Sequence, residues 1–233
     1  MTMRFDIRGW LLPGFNSPKV VAFPSVRTSP LEEKAPLGLV WHTTGGVGGS
    51  GWAEGLVRRI QGYRKGVDRP ASWHFLIAKD GTIYQSAPIH VGTWHVGVGG
   101  DLGGRSFKNI NHGSIGVELE NAGQLIGHDG QFYAWPVWKA GTKDVPDPKL
   151  RIDPTRVVIH ELKAFDGFPT EQITSASELA GCLVKTLQWE ESALCHGHAD
   201  FAAPRKIDPG PLWMKEILPR VLERIALGKD GVK

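Results

Sequence analysis

The segment Leu37-Gly-Leu-Val-Trp-His-Thr-Thr44 is an almost unbroken apolar run that ends in a histidine and two threonines. Such a run is typical of a strand that is buried on both faces, as strands in the middle of an α/β sheet are. The glycine-rich segment Gly45-Gly-Val-Gly-Gly-Ser-Gly51 follows at once, ends the strand and leaves the backbone open to a ligand. His42 is therefore predicted to lie at the end of a central strand.

Further strands and helices are predicted around this one. The runs 73–78 and 82–86 flank Lys79-Asp-Gly81, and Asp-Gly between β-rich runs predicts a hairpin. A strand is also predicted at 114–121 and a short one at 193–195, with a glycine-rich loop at 99–113 that we expect to border the site. Helical spacing of apolar residues predicts helices at 52–65, with Ser50 as N-cap, from Thr170 onward, and at 211–227.

These elements predict one α/β domain, with a central mixed β-sheet flanked by helices. Prolines break residues 1–36, which we interpret as an N-terminal arm. The domain itself is predicted to span 37–228, with an insertion at about 122–163 and a C-terminal tail at 229–233. The aromatic side chains of the insertion either border the cleft and contact substrate or form an apolar cluster over one sheet edge; they are Phe132, Tyr133, Trp135 and Trp138.

Composition and charge exclude several classes of protein. The formal net charge of +3 is mild and no run of like charges occurs, so nucleic-acid binding is not expected. No stretch is long and apolar enough for a membrane span or a signal peptide, and we expect synthesis as a soluble cytoplasmic protein without membrane insertion. The two cysteines, Cys182 and Cys195, exclude a disulfide scaffold and are expected to be free, buried thiols.

The segment from Cys195 to Pro211 is rich in metal-ligating side chains. It contains two histidines and two aspartates among glycines and prolines that restrict the backbone. A catalytic Zn²⁺ takes three protein ligands and keeps one position for water, so this loop would supply two ligands and His42 the third. His196 competes with His198, but alternate residues of a strand point to opposite faces, so only one should face the metal.

Five segments, in this order, resemble the zinc-dependent N-acetylmuramoyl-L-alanine amidases, the family that includes phage endolysins and peptidoglycan recognition proteins. They are Val40-Trp-His-Thr-Thr44, the run 72–85, Thr93-Trp-His-Val-Gly97, Ser114-Ile-Gly-Val-Glu-Leu-Glu-Asn121 and the loop 197–211. The resemblance spans residues 37–213, and the segment 122–163 has no counterpart in it.

The resemblance implies roles for individual residues. It implies that Zn²⁺ is held by His42, His198 and Asp208, with Glu118 as the general base. It further implies that Lys206 stabilises the oxyanion, and that Trp94 and His95 line the substrate. Period two places Glu118 and Glu120 on one face of their strand, and Glu120 is expected to be an ordinary solvated charge.

The function that this implies is hydrolysis of the amide bond between N-acetylmuramic acid and L-alanine in bacterial peptidoglycan. We expect a monomer that binds peptidoglycan or muropeptides and acts as a phage-type endolysin, reaching the wall from the host periplasm after release. Alternatives are a muropeptide-recycling amidase in the cytoplasm, a delivered toxin, a peptidoglycan-binding protein without activity, and an unrelated zinc hydrolase. Digestion of purified wall would separate them.

Overall fold

The computed structural model describes residues 3–25, 28–49, 51–61, 71–135 and 145–230. The helices are α1 (Trp52–Gln61), α2 (Thr170–Leu187), α3 (His198–Ala202) and α4 (Leu218–Asp230). The strands are β1 (Arg4–Phe5), β2 (Leu11–Leu12), β3 (Val20–Ala22), β4 (Thr28–Ser29), β5 (Gly38–Thr43), β6 (Phe75–Ile77), β7 (Ile83–Gln85), β8 (Gly92–Thr93), β9 (Gly100–Leu102), β10 (Arg105–Phe107), β11 (Ser114–Leu119), β12 (Ile126–His128), β13 (Gln131–Tyr133), β14 (Val157–His160), β15 (Lys163–Asp166) and β16 (His196–Gly197).

A six-stranded sheet lies at the centre, in the order β16-β5-β11-β6-β7-β3. All neighbouring strands in it are parallel except β6 and β7, which form the predicted hairpin. The predicted mixed sheet with flanking helices is confirmed. One strand of the predicted N-terminal arm, β3, completes the sheet at its edge.

One face of the sheet carries the largest core cluster, against α2 and α4. Leu39 and Trp41 of β5 and Val117 of β11 belong to this cluster and are fully buried. The ring of Trp41 lies 4.9 Å from that of Trp213, and its indole N–H donates to the carbonyl of Leu194 at 2.8 Å. This face therefore anchors β5 through an aromatic contact and a satisfied polar group.

The opposite face carries the alternate residues of the same strands. Val40 packs there with Leu102, Phe107 and Ile110 in a separate cluster. These three residues come from the segment 99–113, which was predicted to be a loop. That prediction was wrong in part, because the segment contains the hairpin of β9 and β10 and a short 3-10 helix that bury apolar side chains.

Three further predictions need correction or limits. Most of the short strand predicted at 193–195 belongs to a 3-10 helix at Glu191–Leu194, and the strand itself is β16, which begins only at His196. Leu194 is buried in that turn, where its carbonyl accepts the Trp41 indole N–H instead of joining the sheet. The last helix begins with a π-helical turn, Leu212–Ile217. Ser50 and the end of the predicted 52–65 helix lie outside the described residues.

The cysteines are free, but they are less buried than predicted. Cys182 is half-buried and Cys195 is exposed. Burial raises the pKa of the Cys182 thiol to about 11, so this thiol stays protonated at neutral pH. No helix within the described part of the chain has both the length and the apolar character needed to cross a membrane.

The predicted insertion contains two hairpins, β12 with β13 and β14 with β15. Asp166, at the end of β15, is fully buried and ties it to the domain. Its carboxylate accepts two hydrogen bonds from Arg156, at 2.9 and 2.6 Å, and lies 3.0 Å from Lys79 Nζ. Arg156 also donates to the carbonyl of Val47 in the loop after β5, at 2.7 Å. The insertion is thus linked to the loop beside the predicted site.

Replacement of Asp166 is expected to destabilise the protein strongly. The Asp166→Asn variant leaves two cations without their carboxylate partner, and breaking a buried ion pair costs about 3–5 kcal/mol. Chemical denaturation measures this free energy of unfolding. Glu54→Gln is the matched control, because the Glu54–Arg58 pair is an exposed i,i+4 pair worth about 0.3–0.5 kcal/mol. Equal small losses in both variants would contradict the anchoring role of Asp166.

Candidate metal and catalytic site

The candidate site lies where three parallel strands end. His42 is the penultimate residue of β5 and stands opposite Glu118 of β11 in the sheet register. His198 directly follows β16, whose Gly197 pairs with Trp41. Because the carboxyl ends of parallel strands meet at one sheet edge, these three side chains are brought together there.

Two of them join Asp208 in a cluster of three metal-ligating atoms. His42 Nδ1 lies 3.0 Å from His198 Nδ1, and Asp208 Oδ2 lies 3.2 Å from each of these nitrogens. Ligands about 2.0–2.1 Å from a tetrahedral zinc ion are about 3.3 Å apart, so the spacing fits. His196 is not in the cluster; its ring packs near Phe201 at 5.7 Å.

The electrostatics of the cluster also suit a cation. Both histidines are buried. Burial opposes ionisation of Asp208, but the neighbouring imidazoles of His198 and His42 outweigh it and hold the pKa of Asp208 well below its usual range. Burial also lowers the pKa of His42, so a neutral imidazole is favoured there. Two imidazoles and one carboxylate are a common donor set for zinc, and the residues present therefore fit this ion.

The loop between the two later ligands is held by its own backbone. The N–H of Ala199 donates to the carbonyl of Asp208 at 3.0 Å, which links the positions next to both ligands. The N–H of Gly197 donates to Asp200 Oδ2 at 2.7 Å. A Cβ at Gly197 would lie only 2.8 Å from Pro209 Cδ, so the close approach of the two ends of the loop requires glycine.

Glu118 points toward this cluster from the neighbouring strand. Its side chain is partly buried, and the oxygen Oε2 is fully buried without a hydrogen-bond partner among the described residues. Burial raises the pKa of Glu118 to about 8, the charge of Asp208 adds to this rise, and Lys206 opposes it. Lys206 is thus close enough to act electrostatically on Glu118, and it also acts on His42.

Glu120 differs from its prediction as a solvated charge. It is 2% exposed, and its two carboxylate oxygens accept backbone N–H groups from Gly49 and Lys79, each at 2.9 Å. These groups belong to the loops that follow β5 and β6, where no strand partner is available to them. Glu120 is a structural carboxylate that holds two loops at the edge of the site.

Trp94 and His95 were predicted to line the substrate, but the two side chains differ in their exposure to solvent. The Trp94 side chain is 43% exposed and is therefore accessible to a substrate. His95 is buried and both of its ring nitrogens face protein atoms, His42 Nε2 at 3.0 Å and Ser114 Oγ at 3.1 Å. This position does not fit a substrate-lining role; His95 lies behind the cluster.

Sequence reasoning missed the residues that make room for His95. Gly116 of β11 faces the ring, and a Cβ there would lie 2.6 Å from His95 Cγ. His74 packs nearby, with ring centroids 6.3 Å apart, and burial lowers its pKa to about 4. Gly116 is two residues before Glu118 on the same face, so the strand periodicity could have identified it. The contact with His95 is not visible in the sequence.

Comparison with known proteins identifies the family. Two imidazoles, two carboxylates and an ammonium group at one sheet edge are the functional groups typical of a hydrolytic enzyme. Residues 32–211 match the N-acetylmuramoyl-L-alanine amidase family, and the chain belongs to it. Membership supports hydrolysis of an amide bond in peptidoglycan. No curated protein matches the sequence significantly.

Solved structures of low sequence identity share the fold. A selenomethionine derivative of AmpD is 22% identical, with a TM-score of 0.56, and the match covers 94% of this chain and 99% of that one. AmiD from E. coli, in complex with anhydro-N-acetylmuramic acid-L-Ala-D-γ-Glu-L-Lys, is 21% identical with a TM-score of 0.51, covering 93% of this chain and 65% of AmiD. AmpDh3 from Pseudomonas aeruginosa, in complex with an anhydromuramic pentapeptide, is 22% identical with a TM-score of 0.50, covering 86% and 65%. The chain thus spans about two thirds of the latter two proteins.

A methyl group at Gly116 is expected to disturb the layer behind the cluster. In Gly116→Ala the new Cβ overlaps the His95 ring, and such overpacking costs about 1–3 kcal/mol. Gly55→Ala is the control, because Gly55 lies in α1 with open space at its Cβ, where alanine should stabilise by about 0.8–1 kcal/mol. Denaturation midpoints of both variants provide the measurement. A Gly116→Ala variant as stable as the parent would show that His95 can move freely.

Proposed function

We propose that the protein is a zinc-dependent N-acetylmuramoyl-L-alanine amidase that hydrolyses the bond between N-acetylmuramic acid and L-alanine. The observation that carries the proposal is the convergence of His42, His198 and Asp208 next to the half-buried Glu118. A peptidoglycan-binding protein without activity would not need Glu118 beside three ligand atoms, where its buried Oε2 has no hydrogen-bond partner within the described part of the chain. Family membership supports the reaction, and the donor set supports the metal.

Each of the side chains has one task in this reaction. Zn²⁺, held by His42, His198 and Asp208, would supply a Lewis acid and lower the pKa of water. Glu118 takes the proton of the attacking water on a carboxylate oxygen and passes it to the leaving amine of L-alanine. The Lys206 ammonium stabilises the negative charge that develops on the carbonyl oxygen. A cation at the three ligands would also lower the pKa of Glu118 from about 8 toward neutrality, where a general base works best.

Two biological roles differ in the size of the substrate: an endolysin cuts polymeric wall, whereas a recycling amidase cuts soluble fragments. We propose a phage-type endolysin that is made in the cytoplasm, is released, and cuts polymeric wall as a monomer, since the ligands and the base come from one chain. Muropeptide recycling is the second candidate. It is favoured by the anhydromuramyl peptides bound to AmiD and AmpDh3, which are fragments of the wall. The exposed Trp94 is then a contact for sugar or peptide in either case.

The first test of this function is metal content together with products. Protein purified without added metal is expected to contain one Zn²⁺ per chain, and chelation should abolish activity that zinc restores, because the water is not activated without it. Mass analysis of digested peptidoglycan should show free stem peptides with an N-terminal L-alanine. Soluble anhydromuramyl peptides, assayed in parallel, measure the preference for fragments. Full activity after complete removal of metal would refute the zinc proposal.

The second test distinguishes the roles of Glu118, which lies in β11, and Glu120, which directly follows this strand. Glu118→Gln should lower kcat by about 10²- to 10⁴-fold with zinc content and melting temperature maintained, because only the general base is lost. Glu120→Gln should lower the melting temperature, because an amide offers only one acceptor oxygen to the two backbone N–H groups. If Glu120→Gln instead removed activity without changing stability, the assignment of the two carboxylates would be reversed.

A further inference from the structure

A chain of buried hydrogen bonds leads from the backbone of the 3-10 helix Ile110–His112 to the first candidate ligand. Ser114 Oγ lies 2.7 Å from the carbonyl oxygen of Ile110 and 3.1 Å from His95 Nε2. His95 Nδ1 lies 3.0 Å from His42 Nε2, and His42 Nδ1 faces His198 and Asp208. The chain thus ends at the ligand cluster.

The carbonyl at one end determines where every proton in this chain lies. A carbonyl oxygen can only accept, so the Ser114 hydroxyl must donate to Ile110. The Ser114 oxygen then accepts from His95, which places the His95 proton on Nε2 and leaves a lone pair on Nδ1. That lone pair accepts from His42 Nε2–H. A neutral imidazole carries a single N–H, so His42 Nδ1 is left with a lone pair that points at the cluster.

We propose that His95 and Ser114 are positioning residues that hold His42 in the tautomer able to bind the metal through Nδ1. This inference rests on the proposed metal site, but it concerns the state of the chain before any metal binds. Partners of this kind orient a ligating histidine and raise its basicity, and their loss typically weakens metal binding by about 10- to 100-fold.

The surrounding structure holds His95 in place for this task. The Asn111 side-chain oxygen accepts from the backbone N–H groups of His95, at 3.1 Å, and Val96, at 2.7 Å. Gly116 gives the ring its space. The second histidine of the cluster has no such support, since His198 Nε2 is buried without a hydrogen-bond partner among the described residues. His42 is therefore the ligand whose orientation is set in advance.

The tautomers can be observed directly by NMR on metal-free protein labelled with ¹⁵N-histidine. We expect both His42 and His95 to carry their proton on Nε2 at neutral pH. In Ser114→Ala, which removes the acceptor of the His95 proton, the His95 signals should shift toward a mixture of tautomers. A wild-type His42 with its proton on Nδ1 would overturn the proposal, whatever the outcome of activity assays.

Zinc affinity, measured by competition with a chromophoric chelator, tests the consequence. His95→Leu removes the acceptor and is expected to weaken zinc binding about 10- to 100-fold. His95→Asn has nearly the same size as leucine and carries an oxygen near the position of Nδ1, so it should bind zinc more tightly than His95→Leu. Equal affinities of the wild type and both variants would overturn the proposal.

His74→Leu is the control for packing in the same layer, because His74 is also buried and its ring nitrogens contact Val91 and Thr93 rather than a candidate ligand. It should lower the melting temperature and leave zinc affinity unchanged. Equal weakening in His74→Leu and His95→Leu would show a general packing effect and sink the inference. If His95→Leu fails to fold, the affinity of Ser114→Ala decides. A wild type that binds no zinc would contradict the proposed function instead, while the NMR result would stand.

Discussion

The parallel pairing of β5 with β11 is the interaction on which the candidate site depends. It places His42 directly opposite Glu118 and sets Gly116 and Ser114 two and four residues before Glu118 along the same face. Side chains alternate between the faces of a strand, so a slip of one residue would turn Glu118 into the helix-packed core and expose Val117 to the cluster. The burial of Trp41 and Val117 against the helices opposes such a slip, because the slip would place charge in an apolar layer. The hydrophobic core therefore determines the geometry of the chemistry.

The two faces of the sheet have different roles: one is the main hydrophobic core, and the other carries the candidate site. The helix face is packed with large apolar side chains and supplies stability. The other face combines apolar residues such as Val40 with the polar residues of the site, and it is covered in part by the histidine layer and by the hairpin of β9 and β10. A histidine layer of this kind must have each proton accounted for, since an unsatisfied buried polar group costs about 1–3 kcal/mol. The Ile110 carbonyl at one end of the layer and the ligand cluster at the other meet this requirement for His42 and His95.

The sequence predicted those parts of the structure that depend on local pattern. The central strand, the hairpin of β6 and β7 and the start of α2 follow from apolar runs, an Asp-Gly turn and helical spacing, and all three are present. The three candidate ligands were selected from a loop and a strand end, and the structure brings them together. The failures concern contacts between distant segments. Glu120 looks like a surface charge until the loops holding Gly49 and Lys79 fold over it, and His95 looks accessible until Ser114 and His42 enclose its ring. The short β16 was placed two to three residues too early because the carbonyl of Leu194 bonds to the indole of Trp41, which is far away in the sequence.

The ligand cluster brings polar side chains of three segments close together, and much of the surrounding chain supports this arrangement. Three candidate ligand atoms lie 3.0–3.2 Å apart, and one oxygen of Glu118 is buried without a hydrogen-bond partner among the described residues. A cation at the cluster would satisfy these groups together, so ion binding and folding are linked: a ligand at 1,000 times its dissociation constant adds about 4.1 kcal/mol of stability. A layer that fixes the His42 proton lowers the reorganisation needed when the ion arrives, and it does so with neutral groups that add no further charge to the edge of the sheet.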